Sequence, residues 1–426
     1  MFKKILLPLI FVIFMTGEIF AAQPITAGET INLQRCIEIA LQNHPAINAA
    51  QHTVRIYESR IGQARAGYMP QLTFQSGYQR IGPASLSGPE IDPYNHHSNT
   101  LSLSQTLFDF GKTYDQIKIQ SLSTESSRAD LQDITGHVIL GVKHAYYGYL
   151  QAKMSADVAR ETVNKFQQHF EIANAFFETG KRSKIDVTSA EVNLSNSKIN
   201  LLKAENNLRL AKVNLNNAMG LSNAPPYEIN DDMSYNPYAV SLDTAREKAY
   251  RNRPDLMSVS KKKEALEKNV LYNQKGYLPV LSGSAGYGYV GNDSTSDSSW
   301  NVGVFLTFPL FTGFSTKYQI DEAKANLNVL KANEDSLTQQ VALEIESAYL
   351  SLNESSERIG AAEIIVRQAM ENVELAEGRY EAGVGSSIEI TDAMITLNNA
   401  KMTYITALAD YHVAWANLEK AMGENK

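Results

Sequence analysis

Cysteine is almost missing from this chain. Of 426 residues only Cys36 carries a thiol, so no internal disulfide can hold the fold together. Long apolar runs are missing too. After the first 22 residues no stretch approaches the roughly 18 consecutive apolar residues of a membrane-crossing helix. No large block of like charge appears, and the net charge of −7 is mild, which argues against nucleic acid as a partner. The signatures of catalysis are also lacking: there is no phosphate-cradling Gly-rich loop, no nucleophile elbow and no paired zinc-ligand helix motif. His137 and His144 share a helix face without a ligand set around them. His96 and His97 fall in a polar loop, where adjacent histidines are usually solvated. No catalytic residue, cofactor or metal site is therefore expected.

The N-terminus departs from this polar background. Lys3 and Lys4 precede an apolar run from Ile5 to Met15, and Ala21 and Ala22 follow. A charged start, a short apolar core and a small-residue end predict a cleavable secretory signal over residues 1–22. Gln34 and Arg35 before Cys36 do not form a recognisable lipid-attachment pattern.

The remainder reads as two copies of one design. The segment from Leu33 (LQRCIEIALQNHPAI) matches that from Leu242 (LDTAREKAYRNRPDL) at an offset of 209 residues. The same offset relates Gly67-Tyr68-Met69-Pro70 to Gly276-Tyr277-Leu278-Pro279. Later the offset is 203: Phe177 to Gly180 (FETG) matches Tyr380 to Gly383 (YEAG), and Ala218-Met219-Gly220 matches Ala421-Met422-Gly423. A repeat of this size fixes what each half must build. The halves are placed at residues 23–220 and 242–426, with a linker at 221–241.

Each half predicts a helix, a strand, a loop, a strand, a long helix, a turn and a second helix. Strands are expected at about 71–80, 100–108, 280–290 and 299–309, from alternation of apolar and polar residues. Leu72, Phe74 and Tyr78 oppose Gln71, Thr73 and Gln75. Trp300, Val302 and Val304 oppose Asn301 and Gly303. Segments of about ten residues suit tilted strands crossing an outer membrane. Polar loops, rich in Gly, Ser and Asp, are expected over 81–99 and 291–299. No proline interrupts Lys112 to Glu178 or Ser315 to Glu381, so each stretch can form a helix of about 100 Å at 1.5 Å per residue. Each return helix carries a heptad seam: Leu194, Leu201, Leu208 and Leu215 in one, Leu397, Tyr404, Tyr411 and Leu418 in the other.

Four strands cannot close a barrel, and in lipid the unpaired backbone of an open sheet edge costs several kcal/mol per group. Two chains would supply eight strands, enough only for a barrel filled by its own side chains. Three chains supply twelve, which leaves room for a water-filled lumen, and cyclic symmetry closes such a ring.

With the duplicated layout, the Gly-Tyr-x-Pro strand entries and the paired Phe/Tyr-Glu-x-Gly turns, the chain resembles the TolC-like outer membrane efflux proteins over nearly its whole length. The stretch YEAGVGSSIEITDAMITLNNAK from Tyr380 is the most specific part. The resemblance implies an α+β membrane protein, a homotrimer whose 12-strand β-barrel continues as a long periplasmic α-helical coiled-coil barrel. It implies an outer-membrane exit channel of a tripartite efflux or type I secretion system. Such a channel passively conducts what an inner-membrane transporter and a periplasmic adaptor deliver. The hairpin tips, at 179–184 and 382–387, would dock the adaptor through Gly180, Lys181, Arg182 and Ser183, and through Gly383, Val384, Gly385 and Ser386. Glu389 and Asp392, three apart on one helix face, would form a carboxylate ring at the pore gate. Asp186 and Tyr380 match positions that link the closed tips. Gly385 stands where the family places an arginine, so that ion pair cannot form: either Arg182 compensates or the resting gate is looser. Two alternatives stay open: a channel dedicated to metal cations, and a secreted trimeric coiled-coil structural or adhesive protein.

Overall fold

A computed structural model describes residues 25–82, 93–230, 233–238, 240–292 and 295–424. The expected signal at 1–22 lies outside these residues, as does part of the loop expected over 81–99. The first half runs β1 (Thr30–Ile31), α1 (Leu33–Asn43), α2 (Pro45–Arg65), β2 (Gln71–Ile81), β3 (Tyr94–Phe108), α3 (Lys112–Glu178) and α4 (Lys184–Ala218). The second runs β4 (Glu228–Ile229), α5 (Leu242–Asn252), α6 (Pro254–Gln274), β5 (Val280–Asn292), β6 (Ser296–Thr307), α7 (Ser315–Glu381) and α8 (Ser387–Ala421). A single 3₁₀ turn, Ala66–Tyr68 or Lys275–Tyr277, leads into β2 and β5. The helices match in length between halves: 11, 21, 67 and 35 residues.

Several details differ from the sequence reading: β6 begins at Ser296, inside the loop expected over 291–299, and the expected linker at 221–241 contains β4, which pairs in parallel with β1. The opening helix of each half is two helices, broken where Pro45 and Pro254 take the first helical position. Proline lacks the amide that a continuing helix would need, and it pushes the preceding residue into extended backbone. His44 and Arg253 accordingly sit at ψ +123° each. Strand β3 also begins at Tyr94, earlier than alternation indicated. His96 and His97 therefore lie in a strand, paired with Gln79 and Tyr78, and not in a solvated loop.

The four long strands form one antiparallel sheet in the order β2-β3-β5-β6. Its register sorts side chains by chemistry. Phe74, Leu101, Tyr287 and Trp300 form one row across the sheet, and Leu72, Leu103, Ala285 and Val302 form the next. The opposite face carries Thr73, Ser102, Gly286 and Asn301, then Gln71, Ser104, Ser284 and Gly303. A one-residue slip would exchange the faces, so the pattern fixes the pairing. The apolar face is bare: Phe74 is 67% exposed, Trp300 77% and Val302 74%. The outer edges of β2 and β6 have no strand partner among the described residues.

Away from the sheet, helices pack side by side. Near the sheet α3 lies between α2 and α6, and α6 also meets α7; farther along, the order is α4, α3, α8, α7. Each half has its own apolar core where its short helices meet the long ones. In the first, Val142, Tyr146 and Leu150 of α3 meet Leu215 of α4 and Cys36 and Ile39 of α1. In the second, Val341, Ile345 and Leu352 of α7 meet Tyr411 and Leu418 of α8 and Ala245 of α5. Each buried Val, Leu or Ile among these contributes roughly 1.5–3 kcal/mol relative to exposure. Burial pushes the Cys36 thiol up to about 12, so it packs as a small apolar group. Both flanks of the helical layer remain apolar at heptad spacing. Ile185, Val192, Ile199 and Val213 are exposed on α4, and Val329, Leu343, Leu350 and Ile364 on α7.

The kinks after α1 and α5 receive the ends of the return helices. Gly220 and Gly423 both adopt φ +74°, the left-handed conformation that ends a helix. A Cβ on Gly220 would stand 2.8 Å from His44 Cα, and one on Gly423 2.8 Å from Asn252 C. Gly180 has a similar φ of +71° but open space around it. Gly180→Ala should therefore cost only the left-handed penalty, about 1 kcal/mol. Gly220→Ala and Gly423→Ala should cost clearly more, because backbone must move. Thermal unfolding followed by helical circular dichroism checks the order; equal midpoints for all three variants would refute it.

Arg253 anchors the second kink. It is buried, pairs with Asp255 at 2.6 Å and Glu344 at 2.7 Å, and donates to the Ala421 carbonyl at 3.5 Å. Despite their own burial, both carboxyls are held below their ordinary range by the guanidinium. Arg253→Ala strands these acceptors and should destabilise the protein by about 3 kcal/mol, the low end for breaking a buried pair, because Glu344 reaches solvent. The same melting experiment reads this loss.

Candidate functional site

The far ends of the two helical hairpins hold nearly all of the site residues expected from sequence. The α3–α4 turn closes through the Lys181 amide donating to the Phe176 carbonyl and the Gly180 amide to Phe177, both at 2.9 Å. The α7–α8 turn repeats this with Val384 donating to Arg379 and Gly383 to Tyr380, each at 3.0 Å. Gly383 has φ +81°. These bonds satisfy carbonyls that a helix end would otherwise leave unpaired.

The tips present different chemistry. Gly180, Lys181 and Ser183 are exposed on the first, next to Lys184 and an exposed Ile185. Lys181 and Lys184 sit over the rings of Phe176 and Phe177 at 5.7 and 5.3 Å. On the second tip Gly383 and Val384 are exposed, Ser386 is half-buried and Gly385 is buried. A Cβ on Gly385 would stand 2.9 Å from the Tyr380 amide nitrogen and 3.0 Å from Arg379 C. Gly385 thus belongs to the packing of the turn and presents no surface of its own. Its lack of a side chain is a steric requirement of this turn.

Arg182 reaches across from the first tip to the second. Its Nη2 donates to the Gly385 carbonyl at 2.7 Å, and its guanidinium lies 4.8 Å from the centroid of the Tyr380 ring. Cation–π contact of this kind is worth roughly 0.5–2 kcal/mol, more as the pair loses water. Tyr380 is buried, in a cluster with Phe166, Leu194 and Ile390. Burial, helped by the charge of Asp186, pushes its hydroxyl above its ordinary range, while Arg182 pulls the other way. The Tyr380 hydroxyl has no hydrogen-bond partner among the described residues. Asp186 turns back on its own helix, accepting from the Ser183 amide at 3.2 Å and hydroxyl at 2.9 Å. It therefore meets Tyr380 through charge, not through a hydrogen bond.

Glu389 and Asp392 are both exposed, on the first turns of α8, but they are not equivalent. The Glu389 amide donates to Ser386 Oγ at 3.2 Å, the cap of the helix. Its carboxylate pairs with Arg379 at 3.3 Å. Asp392 is exposed and has no ion pair among the described residues.

One member of the tip cluster was not singled out from sequence. His169 of α3 is buried; its Nε2 lies 3.0 Å from Ser387 Oγ and its ring meets Tyr380 edge-on at 5.3 Å. Burial pulls its basicity below the ordinary histidine range, and the charge of Asp186 opposes that shift. No local pattern marks His169, because its partners lie more than 200 residues away in the chain. Among the described residues no three His, Cys, Asp or Glu side chains gather as a metal-ligand set.

Comparison with known proteins agrees with this architecture. The sequence profile of the family described as Outer membrane efflux protein matches residues 36–221 and 245–424. The alkaline protease secretion protein AprF of Pseudomonas aeruginosa is 24% identical over 397 residues, covering 89% of this chain and 82% of AprF. A probable efflux pump outer membrane protein of Pseudomonas putida, TtgC, is 22% identical, covering 92% of this chain and 82% of TtgC. The CmeC outer membrane channel of Campylobacter jejuni superposes with a TM-score of 0.81 at 18% identity, over 95% of this chain and 90% of CmeC, which shows a shared fold. With its profile spanning both halves, this chain belongs to the outer membrane efflux protein family.

Proposed function

We propose that three copies of the chain, each built by internal duplication, close into an outer-membrane channel. In this reading twelve strands form a β-barrel and twelve long-helix segments continue it as a periplasmic tube. The carrying observation is the four-stranded sheet, with one bare apolar face and two unpartnered edges. Lipid on the apolar face and strand pairing between protomers would resolve both exposures at once. The polar and small residues of the opposite face would then line water. The apolar heptads on the free flanks of α4 and α7 suit a head-to-tail contact between neighbouring protomers. A secreted coiled coil would account for the heptads and not for the sheet.

The channel is passive in this reading, and a periplasmic adaptor docks on the hairpin tips. Lys181, Lys184, Ile185 and Val384 give that surface basic and apolar character. An inner-membrane transporter then supplies the cargo. The names of the relatives cover both secretion and efflux. A channel dedicated to metal cations is the alternative cargo reading.

At the tip, Arg182 replaces the family arginine by approaching from the opposite hairpin, and with Tyr380 and Asp186 it holds the resting gate. Asp392, with Glu389 beside it, supplies the gate carboxylates. Three copies around an axis repel one another when ionised and attract cations.

Purified protein in planar bilayers tests the channel and the gate together. Cation-selective current is expected, and protein that is folded but does not insert would sink the reading. Asp392→Ala should reduce cation selectivity more than Glu389→Ala, because Glu389 is paired with Arg379 and Asp392 is not. Equal effects would contradict that division of roles. Arg182→Ala should raise resting conductance several-fold; an unchanged value would remove Arg182 from the gate.

A further inference from the structure

Where the sheet meets the helices, α2, α3 and α6 frame a groove of about 640 Å³. Its α2 wall carries Arg60, Gln63 and Ala64, and its α3 wall Lys112, Gln116 and Gln120. Spacings of three and four residues keep each set on one helix face. Thr106 closes the sheet end. Its pairing with Ser282 puts it on the polar face of the sheet, in line with Ser102 and Ser104. Gly67 lies against α3, where a Cβ on it would stand 3.2 Å from Thr113 Cγ2. Arg60 is about 10.5 Å of helix farther from the sheet than Gly67. Lys112, next to Thr113, therefore holds the sheet end of the groove and Arg60 the far end, with the glutamine amides between them.

The charges here are unevenly matched. Neither Arg60 nor Lys112 has an ion pair among the described residues. They lie instead over the rings of Tyr57 and Tyr272, at 4.9 and 5.0 Å. Nearby cations are already paired: Arg128 with Glu58 at 2.7 Å, and Lys275 with Asp115. Asp109 is the one carboxylate among the described residues lining the groove, and it is occupied with its own helix end. Its Oδ1 accepts from the Gly111 amide at 3.0 Å, and its Oδ2 from the Thr113 amide at 2.7 Å and from the Thr113 hydroxyl. The internal repeat shows that the fold does not require the two cations. At the repeat offsets Arg60 corresponds to Asn269 and Lys112 to Ser315, and the second half builds the same helices with neither charge.

We propose that this groove binds a small organic anion, its acidic group drawn by Lys112 and Arg60 and its polar body hydrogen-bonded by Gln63, Gln116 and Gln120. Charge-assisted hydrogen bonds from lysine and arginine suit a carboxylate, and a carboxamide both donates and accepts. The volume falls in the range of about 300–1,000 Å³ that small-molecule sites occupy. The proposal goes beyond the channel reading and draws on it only for orientation. In the channel the polar face of the sheet lines water, and the groove opens on that same side. Three copies would then form a basic ring where barrel meets tube, at the opposite end of α3 from the hairpin tips. The two ends of the tube would differ in the sign of their charge, anions being held at one and cations drawn to the other.

The test uses the purified full-length protein in non-ionic detergent. A fluorescent coumarin carboxylate is titrated by anisotropy, with its uncharged carboxamide as the comparison. Saturable binding of the carboxylate, stronger than that of the carboxamide, is expected. The Arg60→Gln/Lys112→Gln variant should weaken it about tenfold, the effect of losing charge-assisted hydrogen bonds. Ala64→Phe, which fills the groove without changing its charge, should weaken it as well. Lys317→Gln removes an exposed cation near the start of α7, outside the groove, and should leave binding at the wild-type level. Helical content should be the same in all these variants. Carboxylate binding untouched by the double substitution, carboxamide bound equally well, or an equal loss in Lys317→Gln would overturn the proposal. Planar-bilayer conductance missing from the wild type would instead overturn the channel reading, and the two failures are thereby distinguished.

Discussion

Backbone hydrogen bonding at the edge of a sheet is the constraint on which this molecule turns. Each strand carries donors and acceptors that must be paired wherever water is excluded. Here one protomer supplies only β2, β3, β5 and β6, and its rows of Phe74 to Trp300 and Leu72 to Val302 present an uncovered apolar face. In the proposed channel lipid covers that face, and lipid in turn forbids open edges. Within the proposed trimer the edges of β2 and β6 pair between neighbours, and the flanks of α4 and α7 meet below them.

The helical part works under a different constraint, which is length without cores at regular intervals. A helix of 67 residues has far more surface than one apolar stripe can anchor. The chain concentrates burial in three places: the two clusters beside the short helices and the cluster around Tyr380 at the tips. At the first two, proline breaks the short helices and glycine lets a return helix press on the kink. The third cluster joins the hairpins through Arg182, Tyr380, His169 and Ser387.

Much of this architecture was legible in the sequence. Proline-free stretches delimited the two long helices, because proline is the residue a helix interior tolerates least. Alternation located the strands, although it placed the start of β3 too late. His96 and His97 lack the apolar contrast that alternation needs, yet they pair in register with Gln79 and Tyr78. The break before Pro45 and Pro254 was also readable from the proline rule, but the continuous helical periodicity around it masked the kink.

What the sequence determined by itself was therefore local and periodic: helix and strand type, the repeat, the glycine turns, and the placing of carboxylates on one helix face. These follow from backbone sterics and side-chain spacing, which act over a few residues. Only the tertiary structure decided which tip residues meet. Arg182 finds Gly385, and His169 finds Ser387, across more than 200 residues of chain. It also separated Glu389, paired with Arg379, from the unpaired Asp392, and buried Gly385 within its turn. Such pairings depend on how two hairpins lie against each other, and no short-range spacing encodes that geometry.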